Sequence, residues 1–217
     1  MEERTTKDKI MDAAERLFAE HGLAATSLRA VIKSAGVNTA AVHYHFGSKE
    51  GLVEAVLVRR ATPVNKERLR LLDEVEAKSE GGSLPPEAVV EAFVAPVVRA
   101  KAGSGGGRGV FRQLLGRAIT EADPEHREMM HRIFGEVLER FTAAFARALP
   151  GLPVEEIYWR MHFMVGAMAL GIAVRSIHLE SKDERGDRLD SELLLRRLVD
   201  FLSGGLRGGT VAEKENA

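Results

Sequence analysis

The chain has 217 residues, 45% of them hydrophobic, enough for a sizeable core in one large domain or two unequal ones. Lys and Arg number 31 against 32 Asp and Glu, a net charge of -1, so a global basic coat is absent and any nucleic-acid binding has to be local. Cysteine is absent, which excludes disulfides, thiolate catalysis and thiol redox sensing and suits a reducing compartment.

The charged start MEERTTKDKI leads into an amphipathic pattern, not the apolar core of a signal peptide. The longest apolar run, residues 163–174, is too short to span a bilayer and fits a buried helix. A cytoplasmic protein without membrane contact is expected.

Ile10, Ala13, Ala14, Leu17 and Phe18 recur with helical spacing and predict a first helix that Gly22 ends. A second starts at Thr26 or Ser27, either of which can cap it, and carries Leu28, Val31, Ile32 and Ala35. Gly36 breaks the chain, and Asn38 caps a short third helix to about Tyr44. Gly47 and Ser48 break it again. Ser48 caps a fourth helix reaching about Lys78, which Pro63 should kink or split. SEGGSLPPE (79–87) is a turn cluster, and a helix follows from the double proline to about Lys101. GSGGGRG (103–109) reads as a flexible linker; no GK[ST] follows it and no strand precedes it, so it is no phosphate-binding loop. Further helices are predicted over about 110–122, 124–148, 154–181 and 189–206. Strand-like alternation is nowhere convincing. The expected fold is all-α, about nine helices: a helix-turn-helix domain over 1–48, a ligand-binding and dimerisation domain over 49–207, and a disordered tail over 208–217.

Two short helices joined by a glycine turn make a helix-turn-helix pattern. Charge sharpens it. Residues 21–49 contain no Asp or Glu but do contain Arg29, Lys33 and Lys49, with His21, His43 and His45. A phosphate backbone repels carboxylates and rewards such a surface. Val31, Ile32, Ala35, Val37, Val42 and Phe46 have the spacing of a small core locking the helices together. Thr39, Ala40 and Ala41 stand on the first turn of the third helix, where small side chains let it approach base edges. Tyr44, His45, Ser48 and Lys49 can reach phosphates on either side of the groove, and Arg29 can fork onto a guanine or a phosphate. The capping residues Thr26, Ser27 and Asn38 are counted with this interface. A metal site on the histidines fails: His43 and His45, two apart, face different ways on a helix, and no Cys, Asp or Glu completes a shell.

With IMDAAERLFAEHG and TSLRAVIKSAGVNTAAVHYHFGSKEGLVEAV, the first third of the chain resembles the TetR family of bacterial transcription regulators. The resemblance implies a three-helix DNA-binding domain, with a fourth helix linking it to a variable ligand and dimer domain. It makes Arg29, Thr39, Ala40 and Ala41 base-facing candidates and His43, Tyr44, His45 and Lys49 phosphate-facing ones. Family members commonly carry a tyrosine where His43 stands; here the tyrosine follows one place later, so the main phosphate contact falls to either His43 or Tyr44. VNTAAVHYHFGSKE, Pro63 with Asn65 in RRATPVNKERL, and EIYWRMHFMVGAM look similar to the PsrA-like branch, whose best-known member responds to long-chain fatty acids and controls fatty-acid metabolism.

Residues 157–179 are apolar nearly all round: Met161, Met164, Val165, Met168 and Ile172 make one stripe, while Phe163, Leu170, Val174 and Ile177 point elsewhere. Gly166, Ala167, Gly171 and Ala173 allow close helix approach. The last helix sets Leu194, Leu198 and Phe201 on one side and Leu195, Val199, Leu202 and Leu206 on another. Either both helices are buried within one subunit, or two subunits join them in a four-helix bundle; the dimer is preferred, because one short helix reads few bases. Leu170, Val174, Ile177, Leu194, Leu198 and Phe201 are its candidate contacts. Phe93, Val94, Val97, Phe111, Leu114, Leu115, Met130, Phe134, Val137 and Leu138 are core or, with Met164 and Met168, line an apolar cavity. Arg112, Gln113 and Arg117 are candidate polar anchors, Trp159 and His162 further polar rims.

The expected function is a ligand-responsive repressor, bound as a homodimer to a palindromic operator and released by a small apolar ligand such as a long-chain fatty acid or acyl-CoA. The alternative is a repressor of an efflux gene responding to aromatic or cationic drugs. The patterns G-x-S-x-G, H-E-x-x-H and the P-loop are missing, which leaves little for an enzyme with a DNA-binding appendage. No catalytic residue, cofactor or metal is expected. A helical interaction protein with a vestigial DNA-binding corner sits poorly with the intact acid-free window.

Overall fold

The computed structural model describes residues 5–100, 124–180 and 191–208, without the side chains of 124–126 and 172–180. Among these residues every regular element is a helix: α1 (Thr6–His21), α2 (Leu28–Ala35), α3 (Thr39–Phe46), α4 (Lys49–Lys78), α5 (Pro86–Arg99), α6 (Pro124–Ala148), α7 (Val154–Glu180) and α8 (Ser191–Arg207). The expected linker over 103–109, the helix over 110–122 and the tail beyond 208 lie outside the described residues. The chain divides into two compact units, Met1–Pro63 with Lys101–Ile133, and Val64–Ala100 with Phe134–Ala217.

The first unit is organised by local signals. Thr5 and Asp8 form a reciprocal capping box that starts α1. Gly22 (φ 85°) ends it, its N–H donating to the Phe18 carbonyl over 3.0 Å. Ser27, not Thr26, caps α2, accepting from the Ala30 N–H at 3.2 Å. Gly36 closes α2 with φ 65°, a left-handed conformation that side chains with a Cβ seldom adopt, and the Val37 N–H reaches back to the Ile32 carbonyl. Asn38 caps α3 through the Ala41 N–H at 2.8 Å. The core under these corners holds Ile10, Ala14, Phe18, Val31, Val42 and Leu52, with Ile32, Ala35, Val37 and Phe46 packed at its edge. Full burial of one large side chain such as Phe18 contributes about 1.5–3 kcal/mol.

Charge ties α1 to α4. Glu15 is buried and is gripped by both Arg59 and Arg60, while Arg59 also reaches Asp12 at 2.8 Å. Pro63 was expected to kink or split α4, yet α4 is one helix of 30 residues. The proline only denies the Arg59 carbonyl a donor. The boundary between the units falls at this residue.

In the second unit α8 packs chiefly on α5 and also on α7. Arg99 at the end of α5 holds Glu192 at the start of α8 through two bonds of 2.8 Å, and Arg207 at the end of α8 meets Glu87 at the start of α5. The two helices are therefore antiparallel, with an ion pair at each end. Arg160 on α7 is buried; it pairs with Glu156 at 2.8 Å and donates to the Leu206 carbonyl, satisfying an end of α8 that has no further turn to bond to.

Candidate functional site

Side chains 100° apart around a helix decide what α3 presents. Val42 is buried and Phe46 half-buried against the core; Ala40 and Tyr44 fall on the opposite arc, Thr39 stands on the open first turn and His43 on the flank, and all four are exposed. Tyr44 is 86% exposed, with its ring edge-on to His45 at 5.1 Å. The His43 Nδ1 stands 2.9 Å from the Gly47 carbonyl. That contact requires the proton on Nδ1, so His43 braces the end of α3 and keeps only Nε2 outward. Beside this arc Ser27, Arg29, Lys33 and Asn38 are also exposed. Ser48 is exposed and caps α4 by accepting from the Gly51 N–H at 3.1 Å. Lys49 is half-buried and its Nζ lies 3.4 Å from the Ala24 carbonyl, spanning from α4 to the loop before α2.

Two interface candidates are placed otherwise. Thr26 is buried, and its hydroxyl lies 2.7 Å from the Gly22 carbonyl and 3.1 Å from that of Leu17, holding the α1–α2 corner. A β-hydroxyl beside an unsatisfied helix end turns inward to it. Ala41 is half-buried against the core, so Thr39 and Ala40 carry the small-residue surface.

The ligand candidates scatter. Phe93, Val97, Met164 and Met168 are buried in the second unit, the Phe93 ring edge-on to Phe141 at 5.0 Å, and Phe134 is half-buried. Met130 packs on the core of the first unit instead. Leu138 is exposed. Trp159 and His162 were expected at a pocket rim; both are exposed, on an outer cluster where Tyr158 lies 4.2 Å from His162 and Trp159 stacks with Phe163 at 6.2 Å. Phe111, Arg112, Gln113, Leu115 and Arg117 lie outside the described residues.

The dimer candidates divide by face. Leu170 and Phe201 are 65% and 71% exposed. Trp159, Phe163, Gly166 and Leu170 follow each other at helical spacing, an uncovered apolar strip on α7 in which Gly166 has open space beside it. Leu194 and Leu198 are instead buried inside the subunit: a Cβ on Gly171 would meet the Leu198 Cδ2 at 3.3 Å. The missing side chain of Gly171 lets α7 and α8 close on each other. The side chains of Val174 and Ile177 lie outside the described ones.

Arg68 escapes a reading of the chain motif by motif. Ala61, Asn65, Arg68 and Leu72 form one helical stripe of α4, and all four are buried. An arginine inside an apolar stripe was the available signal.

No described helix is long and apolar enough to cross a membrane. Residues 10–56 match the family model described as bacterial regulatory proteins, tetR family, and residues 91–205 match that of the tetracyclin repressor-like C-terminal domain. The probable HTH-type transcriptional regulator YttP of Bacillus subtilis (strain 168) is 48% identical over 50 residues, 23% of this chain and 24% of that protein. The match thus spans about a quarter of the length of this curated relative. Among solved structures, Salmonella enterica GusR superposes with a TM-score of 0.58 at 19% identity, covering 96% of this chain and 98% of that one. FadR from Bacillus subtilis in complex with stearoyl-CoA superposes with a TM-score of 0.68 at 15% identity, covering 91% and 97%. These likenesses establish the fold. With the C-terminal domain model alone covering more than half of its length, the chain belongs to the tetR family of bacterial regulatory proteins, a family of regulators and not of enzymes.

Proposed function

We propose that this chain is a repressor that binds a palindromic operator as a homodimer and is released by a small apolar ligand, a long-chain fatty acid or acyl-CoA, in the manner of the PsrA-like branch. The observation that carries the DNA reading is the exposed arc of α3. Thr39 and Ala40 offer a small surface to base edges, and Tyr44 stands free beside them to reach a phosphate. Arg29 and Lys33 supply positive charge, and residues 21–49 contribute no carboxylate. The uncovered strip of Trp159, Phe163 and Leu170, with Phe201 on α8, supports a two-fold contact that sets two such arcs on successive major grooves, roughly 34–36 Å apart.

Support for an apolar effector is the buried cluster of Phe93, Phe141, Met164 and Met168 in the second unit, and the fold shared with a FadR solved with stearoyl-CoA. Release follows if the effector prefers a state with the wrong spacing; moving a dimer from mostly bound to mostly free takes about 5 kcal/mol of differential affinity. A gel-shift titration on the DNA upstream of the protein's own gene tests the reading. A shifted band that oleate or oleoyl coenzyme A dissolves is expected. No shift on any such fragment overturns it, and release by aromatic cations but not acyl compounds transfers the protein to the efflux reading.

A further inference from the structure

Two arginines among the described residues are buried, Arg68 and Arg160. Arg160 has a carboxylate, Glu156, at 2.8 Å. Arg68 has none among the described residues. Its Nε donates to the Phe93 carbonyl at 2.8 Å, and its guanidinium carbon lies 4.0 Å from the centroid of the same residue's ring. Among the described residues its two remaining nitrogens find only the Asn65 Oδ1 at 3.4 Å and the Met168 sulfur at 3.8 Å, both long and both neutral. Five N–H donors thus face one good acceptor and two weak ones.

A buried cation with neutral neighbours is held at a large desolvation cost, and a structural role would be served better by an apolar side chain of the same volume. Burial alone pushes the Arg68 guanidinium down to about 9. The group is also held in place, since the bond to the Phe93 carbonyl and the contact with the Phe93 ring fix the plane of its fork before any anion arrives. What surrounds it is apolar: Phe93, Phe141 and Met168 are all buried. A bare inorganic anion would gain the charge but leave this apolar wall unused. An anion with a hydrocarbon body uses both.

We propose that Arg68 is the anchor for the carboxylate of the effector, an apolar monocarboxylic acid whose chain lies along Phe93 and Met168. The proposal rests on the apolar-effector reading above and narrows it to the free acid, with the charged end inside and not at the surface. The carboxylate would take the donors that Asn65 and Met168 satisfy poorly.

Calorimetric titrations of the full chain with oleate, methyl oleate and oleoyl coenzyme A test it, on the wild type and on Arg68→Met and Arg68→Lys. Wild type is expected to bind oleate about tenfold to a hundredfold more tightly than the ester, the worth of a charge-assisted bond. Arg68→Met removes that preference and leaves the ester's affinity within about threefold; Arg68→Lys retains part of it. Unliganded Arg68→Met is expected to melt no lower than wild type, since the apolar side chain escapes the desolvation cost. If oleate and its ester bind wild type alike, or oleoyl coenzyme A binds and oleate does not, the anchor is overturned and the acyl reading stands. If none of the three binds, the effector reading itself fails. Should Arg68→Met not fold, a structural role is indicated, and the acid-to-ester ratio on wild type and Arg68→Lys still decides the anchor.

Discussion

A Cβ added to Gly51 would stand 2.2 Å from the carbonyl oxygen of Phe46, a backbone atom that cannot swing away. The first turn of α4 therefore passes directly over the end of α3, and only a glycine lets it. In a free helix Gly→Ala stabilises by about 1 kcal/mol. Here the sign reverses: Gly51→Ala is expected to destabilise by about 1–3 kcal/mol, as overpacking does, and to tilt α3 and weaken operator binding. Urea unfolding reads the first effect; an unfolding midpoint raised above wild type would contradict the packing described.

In the proposed docking the main phosphate contact falls to Tyr44 or His43, and the bond from His43 to the Gly47 carbonyl favours Tyr44. Tyr44→Phe deletes one neutral donor, so affinity for every DNA sequence should fall by about 0.5–1.5 kcal/mol without changing the salt dependence. Lys49→Ala should reduce the salt slope by about 1. Gel shifts at several salt concentrations separate the two. Full binding by Tyr44→Phe, with binding lost in His43→Ala, would hand the contact to His43.

The uncovered strip on α7 gives a direct test of the dimer. Phe163 is 67% exposed, so Phe163→Glu disturbs no core and puts a charge at the centre of the expected contact. Light scattering should show a monomer, with operator affinity lost more steeply than by any single DNA-facing substitution. Leu198→Glu, by contrast, should unfold the second unit, because Leu198 is buried within the subunit. A Phe163→Glu protein that remains a dimer would move the interface elsewhere.

Glu15 balances two arginines. Glu15→Gln leaves Arg59 with Asp12 and frees Arg60, both of which still reach water, so the loss should be about 1–3 kcal/mol, below that of a fully buried broken pair. Chemical denaturation measures it. An unchanged stability would mean that the clasp between α1 and α4 is idle.

The Arg99 hydrogen bond holds the Glu192 carboxyl below its usual 4.5. A depressed carboxylate contributes stability above the unfolded value and loses it as pH falls through the folded one. The α5–α8 end pair should therefore act at neutral pH and fade below about 4.5, and Glu192→Gln should show a smaller difference from wild type at pH 3 than at pH 7. Thermal melts at the two pH values check the sign; a difference that grows in acid would refute it.

The sequence by itself determined the helices, the caps at Asn38 and Ser48, and the corner between α2 and α3; the α2 cap stood open between Thr26 and Ser27 until packing turned Thr26 inward. Those features depend on residues three or four places apart, and their chemistry is complete within one turn. The small core of Val31, Val42 and Phe46 was legible for the same reason: a short amphipathic helix has one apolar face and so one way to lie. Only the tertiary structure decided what lies against α4, α7 and α8. A helix that is apolar nearly all round does not say which side meets its own subunit. Leu198 and Phe201, three residues apart, were read as one face, and packing against Gly171 sent the first inward and left the second in water. Trp159 and His162 moved from a supposed pocket to the outer surface in the same way. Arg68 shows the converse. Its burial comes from Phe93 and Met168, residues 25 and 100 places away, and no local pattern encodes the absence of a countercharge among the described residues.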